Sequence, residues 1–250
     1  MMCGVSSYSL YYNMDFVTVQ WVGIFLQVMA ERPQKVWYDK ERKKLLKTES
    51  GGNIMDERLQ KQLDFILEID KEKNIFRQTH LSGHGRNEND AEHAWHMAIM
   101  AYLLQEYSNE TIDVARVMLM CLIHDVVEID AGDTYAYDAE GLKTQKAREE
   151  AAKERLYSML PEDQKADLVT IFDEFEERKT PEAKFARALD NLQPLILNNS
   201  NDGGDWKNHD VTAKQVYGRQ SRTREGSEKL FEVTDRILKE NIAKGNLRQE

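Results

Sequence analysis

Apolar residues recur at helical spacing through most of residues 56–242, and the strict alternation of a half-buried strand is nearly absent. Leu59, Leu63, Ile66 and Ile69 line the apolar face of a first helix, which starts at Met55-Asp56 with the aspartate as its cap. Asp90 caps a second helix that turns Ala94, Met97, Ala98, Ala101 and Leu104 inward. A third covers residues 112–128, with Val114, Val117, Met118, Cys121 and Leu122 inside. Residues 143–160 read as a charged amphipathic helix, and Pro161-Glu162 opens another that reaches Glu177. Thr180 followed by Pro181 is a cap with proline at the first helical position, opening a helix to Leu197. Residues 198–210 read as a polar loop, and Thr212 caps a last helical region whose tail becomes solvated beyond Ile242. There is no internal repeat. The pattern predicts an all-α, compact helical bundle around one core.

The most apolar run lies outside these helices. Residues 16–30 (FVTVQWVGIFLQVMA) include Gln20 and Gln27 and fall short of the roughly 20 residues a membrane span needs. Residues 1–15 hold no Lys or Arg, so the basic n-region of a signal peptide is missing. Charge divides near the same place. The 250-residue chain has 34 Lys/Arg and 44 Asp/Glu, a net of −10. Residues 1–54 carry seven and five of these, a net of +2, which leaves −12 for the rest. Gly51-Gly52-Asn53-Ile54 can be encoded with a purine-rich ribosome-binding element just ahead of the Met55 codon. The reading is that Met55 is the native start and that residues 1–54 are a non-domain N-terminal extension from an over-extended frame. Residues 55–220 then form the domain, and residues 221–250 a C-terminal helical tail that packs on or extends it. So acidic a domain argues against a nucleic-acid polymer as partner. Two cysteines, Cys3 and Cys121, make no disulfide framework, and the expected location is the cytoplasm.

The candidate chemistry centres on His124, one of six histidines, because Asp125 follows it near the end of an otherwise apolar helix. A His-Asp pair in such a run is costly unless both groups are engaged, and a divalent metal would engage both. The dipeptide alone is common. The specific signal is the ordered set His93, His124-Asp125 and Asp190, each on a different predicted helix.

This set, with residues 88–93 (ENDAEH), 124–133 (HDVVEIDAGD) and 181–190 (PEAKFARALD), resembles the HD-domain metal-dependent phosphohydrolases. Within them it is most similar to the bacterial 5′-deoxynucleotidase-like branch and its eukaryotic relatives. The resemblance covers residues 56–220 and implies an HD-domain helical bundle. It implies His93, His124, Asp125 and Asp190 as ligands of one divalent ion. Such a mixed nitrogen and oxygen set suits Mn, Co, Fe, Ni or Zn better than Mg or Ca. Four protein ligands on an octahedral ion leave two positions, for water and a substrate oxygen. The resemblance makes both Glu128 and Asp133 catalytic: one orients or deprotonates water and the other protonates the leaving 5′-oxygen, with the assignment between them open. It places Arg77 on the substrate phosphate, where a guanidinium fork fits two oxygens. Gln78 stands where the bacterial group has a tryptophan that helps exclude the ribose 2′-hydroxyl, which leaves the choice of sugar open. The resemblance also implies a homodimer.

Other polar residues have plainer readings. His96, one turn from His93, is expected to pack or support rather than ligate. His80 and His84 fall in a Gly-flanked polar loop that either covers the site or is an ordinary exposed loop. Met97, Met100, Met118 and Met120 are expected as core filler. Residues 173–177 (DEFEE) are expected as a solvated helix face, and Trp206 is expected to pack its loop onto the bundle or a partner subunit. The expected function is a metal-dependent 5′-nucleotidase that converts (deoxy)nucleoside 5′-monophosphates, as small-molecule substrates, to nucleoside and phosphate, away from any membrane. Two alternatives stay open: an HD hydrolase of a cyclic or polyphosphorylated nucleotide, and a non-catalytic nucleotide-binding HD module.

Overall fold

The structure, a computed structural model, describes residues 56–250. The expectations for the N-terminal extension and for a start at Met55 lie outside the described residues. Helix α1 (Glu57–Ile69) begins where Asp56 accepts the Arg58 backbone N–H at 3.1 Å. A 3₁₀ turn (Asp70–Asn74) leads to an antiparallel pair, β1 (Phe76–His80) and β2 (Asn87–Asn89), in which Phe76 faces Asn89 and His80 faces Asn87. Helix α2 (Asp90–Leu104) follows directly. Its cap is Asn89 rather than Asp90: the Asn89 side chain accepts from the Glu92 N–H, and the Glu92 carboxylate accepts from the Asn89 N–H. This reciprocal capping box fixes the strand-to-helix corner next to His93.

Helix α3 (Val114–Ile123) is capped by Asp113 and stops one residue before His124, shorter than the sequence pattern predicts. A tight turn carries His124 and Asp125 into a single-turn helix, α4 (Glu128–Ala131). Gly132 then adopts φ 75°, a left-handed conformation that ends α4 and aims the chain toward Asp133. Helices α5 (Leu142–Tyr157) and α6 (Glu162–Glu177) form an outer pair.

Helix α7 (Pro181–Ser200) is the axis of the bundle. Ala183, Phe185, Ala186, Ala188, Leu189, Leu192 and Leu195 are buried around its whole circumference, as expected of a helix enclosed by others. It packs on α2, α3 and α6. Pro194, inside α7, has no N–H to offer the Asp190 carbonyl one turn back, so that carbonyl loses its usual helical partner.

Residues 198–210 depart from the predicted polar loop. Helix α7 continues to Ser200, and Gly204–Asn208 forms helix α8 with Trp206 buried. The C-terminal region is three helices, α9 (Ala213–Gln220), α10 (Thr223–Gly226) and α11 (Glu228–Ala243). Gly226 lets α10 lie directly on α7, since a Cβ there would sit 2.2 Å from the Lys184 carbonyl oxygen. Beyond Ile242 the chain is not simply solvated: Leu247 is buried in the core, and Ala213 N–H donates to the Arg248 carbonyl at 2.7 Å.

The apolar face predicted for α1 is a second departure. Leu59, Leu63 and Ile66 are exposed, and α1 meets the core through Phe65 and, of the predicted face, Ile69. Periodicity marks an apolar face without saying what covers it. A further exposed apolar face runs along α2 through Trp95, Ile99, Tyr102 and Leu103. Among the described residues no helix is long and apolar enough to cross a membrane.

Candidate metal centre and its cavity

The corner after α3, the start of α2 and the middle of α7 bring the four expected ligands together. His93 is fully buried; its Nε2 lies 3.3 Å from Asp190 Oδ1 and 3.9 Å from Asp125 Oδ2. His124 Nε2 lies 3.1 Å from Asp125 Oδ1 and 3.8 Å from Asp190 Oδ1. Ligand atoms of His93, His124 and Asp125 all fall within 4.8 Å of one another.

The remaining ring nitrogens explain the orientation. His124 Nδ1 is 2.9 Å from the Cys121 carbonyl, and His93 Nδ1 is 2.9 Å from Gln193 Oε1. Both acceptors require Nδ1–H, which turns each Nε2 toward the carboxylates. His124 Nε2 is shielded from solvent and makes no well-directed hydrogen bond. Two inward Nε2 atoms, one of them this orphaned nitrogen, and two carboxylates are a donor set that fits a divalent transition metal.

Charge within the cluster is polarised. Burial opposes ionisation of Asp125, but His124 and Arg77 outweigh it and hold the carboxyl well below its usual range. Asp190 is likewise held ionised against burial by His124, His93 and Arg187. Burial pulls His93 down to about 4, whereas Asp125 and Asp190 overcome burial at His124 and push it up to about 10.

Arg77 comes from β1. Its Nη1 donates to Asp125 Oδ2 at 2.7 Å and to Asp90 Oδ1 at 3.2 Å. Its Nε is buried without a hydrogen-bond partner. Glu128 lies within reach of Asp125 and Asp90, with ligand oxygens of all three inside 4.8 Å. Burial and the Asp125 charge raise the Glu128 carboxyl well above its usual value, and Oε2 has no partner. Asp133 is also raised, by burial and Asp125 against the pull of Arg77. An ionised carboxylate beside neutral carboxyls divides the roles of base and acid between them.

Sequence reasoning missed several members of this cluster. Gln193, one turn after Asp190 on α7, links His93 to Glu88, donating from Nε2 to Glu88 Oε1 at 2.7 Å. The same amide is 3.1 Å from His96 Nδ1, so His96 supports the ligand shell, as expected. Asp90 is fully buried and raised to about 7 by burial and Asp125. Glu72, on the 3₁₀ turn, is raised to about 8 by burial, Asp125 and Asp90. Its spacing from the motifs gave no signal.

A cavity of about 720 Å³ opens over His124, Asp125, Glu128 and Asp133. Gln78, Tyr137, Asn191 and Trp206 line it. Trp206 thus packs onto the bundle, as expected. The His80–His84 loop is an anchored one: His80 Nδ1 is 2.6 Å from Asp205, and Asn201 bonds the backbone at His80, Leu81 and His84. In residues 173–177, Phe175 is buried against His124 at 4.9 Å between ring centres, so that face is only partly solvated. Met97, Met100 and Met120 are core filler.

A family model of the HD domain matches residues 69–231. The chain belongs to the HD-domain family. Along 78% of its length this HD-domain protein is similar to the predicted metal-dependent phosphohydrolase of Magnetospirillum magnetotacticum MS-1, with 44% identity, 98% of that chain covered and a TM-score of 0.75. It is 29% identical over 111 residues to the 5′-deoxynucleotidase HDDC2 of Homo sapiens, a match that covers 44% of this chain and 53% of that protein. To the Bos taurus 5′-deoxynucleotidase HDDC2 it is 30% identical over 109 residues, 44% and 52% of the two chains. The match thus spans about half the length of these curated relatives. The HD-domain protein is a metal-dependent phosphohydrolase by family.

Proposed function

We propose that the protein is a phosphomonoesterase that converts (deoxy)nucleoside 5′-monophosphates to nucleoside and inorganic phosphate. The observation that carries this reading is the convergence of His93, His124, Asp125 and Asp190, with Glu128 and Arg77 beside them, beneath one cavity. The 5′-deoxynucleotidase relatives support the substrate class.

His93, His124, Asp125 and Asp190 would hold one divalent ion, of Mn, Co, Fe, Ni or Zn. When bound, such an ion supplies Lewis-acid activation of water and of the phosphoryl group. Arg77 lines the cavity and offers guanidinium N–H groups to two phosphate oxygens, a charge-assisted fork. Glu128 and Asp133 move the protons: the carboxyl that holds one gives it to the leaving 5′-oxygen, and the other accepts one from water. Which of the two gives is set by their order of ionisation with substrate bound. Gln78 lines the cavity in place of a tryptophan, so the choice between ribose and deoxyribose is left to the substrate panel.

In this reading the protein works in the cytoplasm, with residues 55–220 as the catalytic domain and 221–250 packed on it. Two copies pair through the exposed α2 face of Trp95, Ile99, Tyr102 and Leu103, one contiguous apolar stripe at helical spacing. Trp95→Asp would then yield a monomer in sedimentation.

The test is a panel of deoxynucleoside and ribonucleoside 5′-monophosphates, cyclic monophosphates and triphosphates, supplied to the full chain with Mn or Co. Phosphate and pyrophosphate are measured separately. The reading expects phosphate from the 5′-monophosphates. Release of pyrophosphate, opening of a cyclic ester alone, or tight binding without turnover would each replace it with another reading.

A further inference from the structure

Three arginines meet at the Asp190 edge of the cavity, and the proposed hydrolysis uses none of them. Arg178 follows α6, Arg187 lies one turn before Asp190 on α7, and Arg219 lies on α9; all three line the cavity. Arg187 donates to Asp190 Oδ2 at 2.9 Å and to Glu176 Oε1 at 2.7 Å. Arg219 Nη2 is 3.5 Å from the same Asp190 oxygen. Arg178 has no ion pair and no side-chain hydrogen bond among the described residues, and the Nε atoms of both Arg178 and Arg187 are shielded from solvent without a partner. Burial and the charges of Arg187 and Arg219 hold the Arg178 guanidinium below its ordinary value. Arg187 and Arg219 thus share Asp190, which His93 and His124 already engage; Arg187 also pairs with the exposed Glu176, Asp133 and Glu149 feel the charges of Arg219 and Arg187, and Arg178 is left without an ion pair.

Two features show that this crowding is built in. Arg178 sits at φ 57°, a left-handed backbone that Gly or Asn would occupy more easily. Arg187 sits over Phe175, its guanidinium carbon 4.0 Å from the ring centre, a cation–π contact that restrains the side chain. Arg77 engages Asp125, whereas these arginines gather at Asp190, the other carboxylate of the cluster. Positive charge thus stands at two separate edges of one cavity.

We propose that Arg178, Arg187 and Arg219 form a second anion subsite, and that the preferred substrate is a nucleotide carrying a second phosphate besides the one hydrolysed. This rests on the phosphomonoesterase reading. Water oxygen bonds to the phosphorus of the 5′-phosphate, the phosphorus–oxygen ester bond breaks, and the 5′-oxygen leaves with a proton. The second phosphate stays on the product, held by the arginines.

The experiment compares deoxyadenosine 3′,5′-bisphosphate with deoxyadenosine 5′-monophosphate on the Mn-loaded full chain. Calorimetric affinities for both are measured on the chelated protein, which turns nothing over. The expected result is a preference of at least tenfold in KM for the bisphosphate. Arg178→Asn, which tolerates the left-handed backbone, and Arg219→Gln should each remove most of that preference and weaken bisphosphate binding about tenfold in calorimetry. Lys179→Gln, one residue on and exposed, should change neither. Equal KM values and equal affinities for the two compounds, or a preference that survives both arginine variants, would overturn the subsite. If neither compound releases phosphate, the phosphomonoesterase reading fails, and the calorimetric difference still decides the subsite.

Discussion

Gln193 holds His93 from behind: its Oε1 accepts the imidazole Nδ1–H at 2.9 Å while its amide nitrogen donates to Glu88. The bond fixes the tautomer that presents Nε2 to Asp125 and Asp190. Gln193→Ala should weaken Mn affinity about 10–100-fold, as loss of an outer partner of a metal histidine does. Calorimetry on the purified variant checks this, with far-UV circular dichroism confirming the fold. An unchanged affinity would show that packing alone orients the ring.

Arg77 has two duties, and substitutions separate them. Arg77→Ala strands the buried carboxyls of Asp90 and Asp125, so it should destabilise the fold by about 3–5 kcal/mol. Arg77→Lys keeps the charge but loses the fork. It should fold, and it should lower kcat/KM for a 5′-monophosphate about 10–100-fold, the worth of one or two charge-assisted hydrogen bonds, mainly through KM. Denaturant unfolding and steady-state kinetics read the two effects independently.

Glu72 gives a pH signature. Its carboxyl is raised to about 8 in the fold against an ordinary value near 4.5. The folded chain therefore holds a proton there that the unfolded chain has lost between these two pH values. The resulting stabilisation is fully present below about 4.5 and disappears as pH rises through 8. In chelator, the melting temperature relative to Glu72→Gln should fall progressively from pH 5 to pH 8. A difference between the two proteins that is independent of pH would show that Glu72 is ionised in the fold.

Much of the centre was legible in the sequence. His93, His124, Asp125 and Asp190 could be read because each sits in a motif whose polar residues interrupt apolar helices at fixed positions. The helices were legible for the same reason. The β1–β2 pair was not, because Arg77, Gln78, Thr79, Asn87, Glu88 and Asn89 carry no apolar alternation; the pair is held by the Asn89 capping box and by packing of β1 on α7 and α8 and of β2 on α2. Nor did the sequence show that α3 stops before His124, since the apolar run continues through Val126 and Val127. Glu72 and Arg178 reach the site only through tertiary packing, which no local spacing encodes, whereas Gln193 lies one helical turn after Asp190 and its spacing was a signal left unread.

The most direct test of the metal centre as a phosphomonoesterase site follows phosphate release from a deoxynucleoside 5′-monophosphate by the full chain, after chelation and reloading with Mn or Co. Asp125→Asn is carried in parallel. Chelation is expected to abolish release and reloading to restore it, and the Asp125→Asn protein to fold yet neither bind the metal nor turn over. Phosphate release that persists in chelator, or a fully active Asp125→Asn protein, would contradict this assignment.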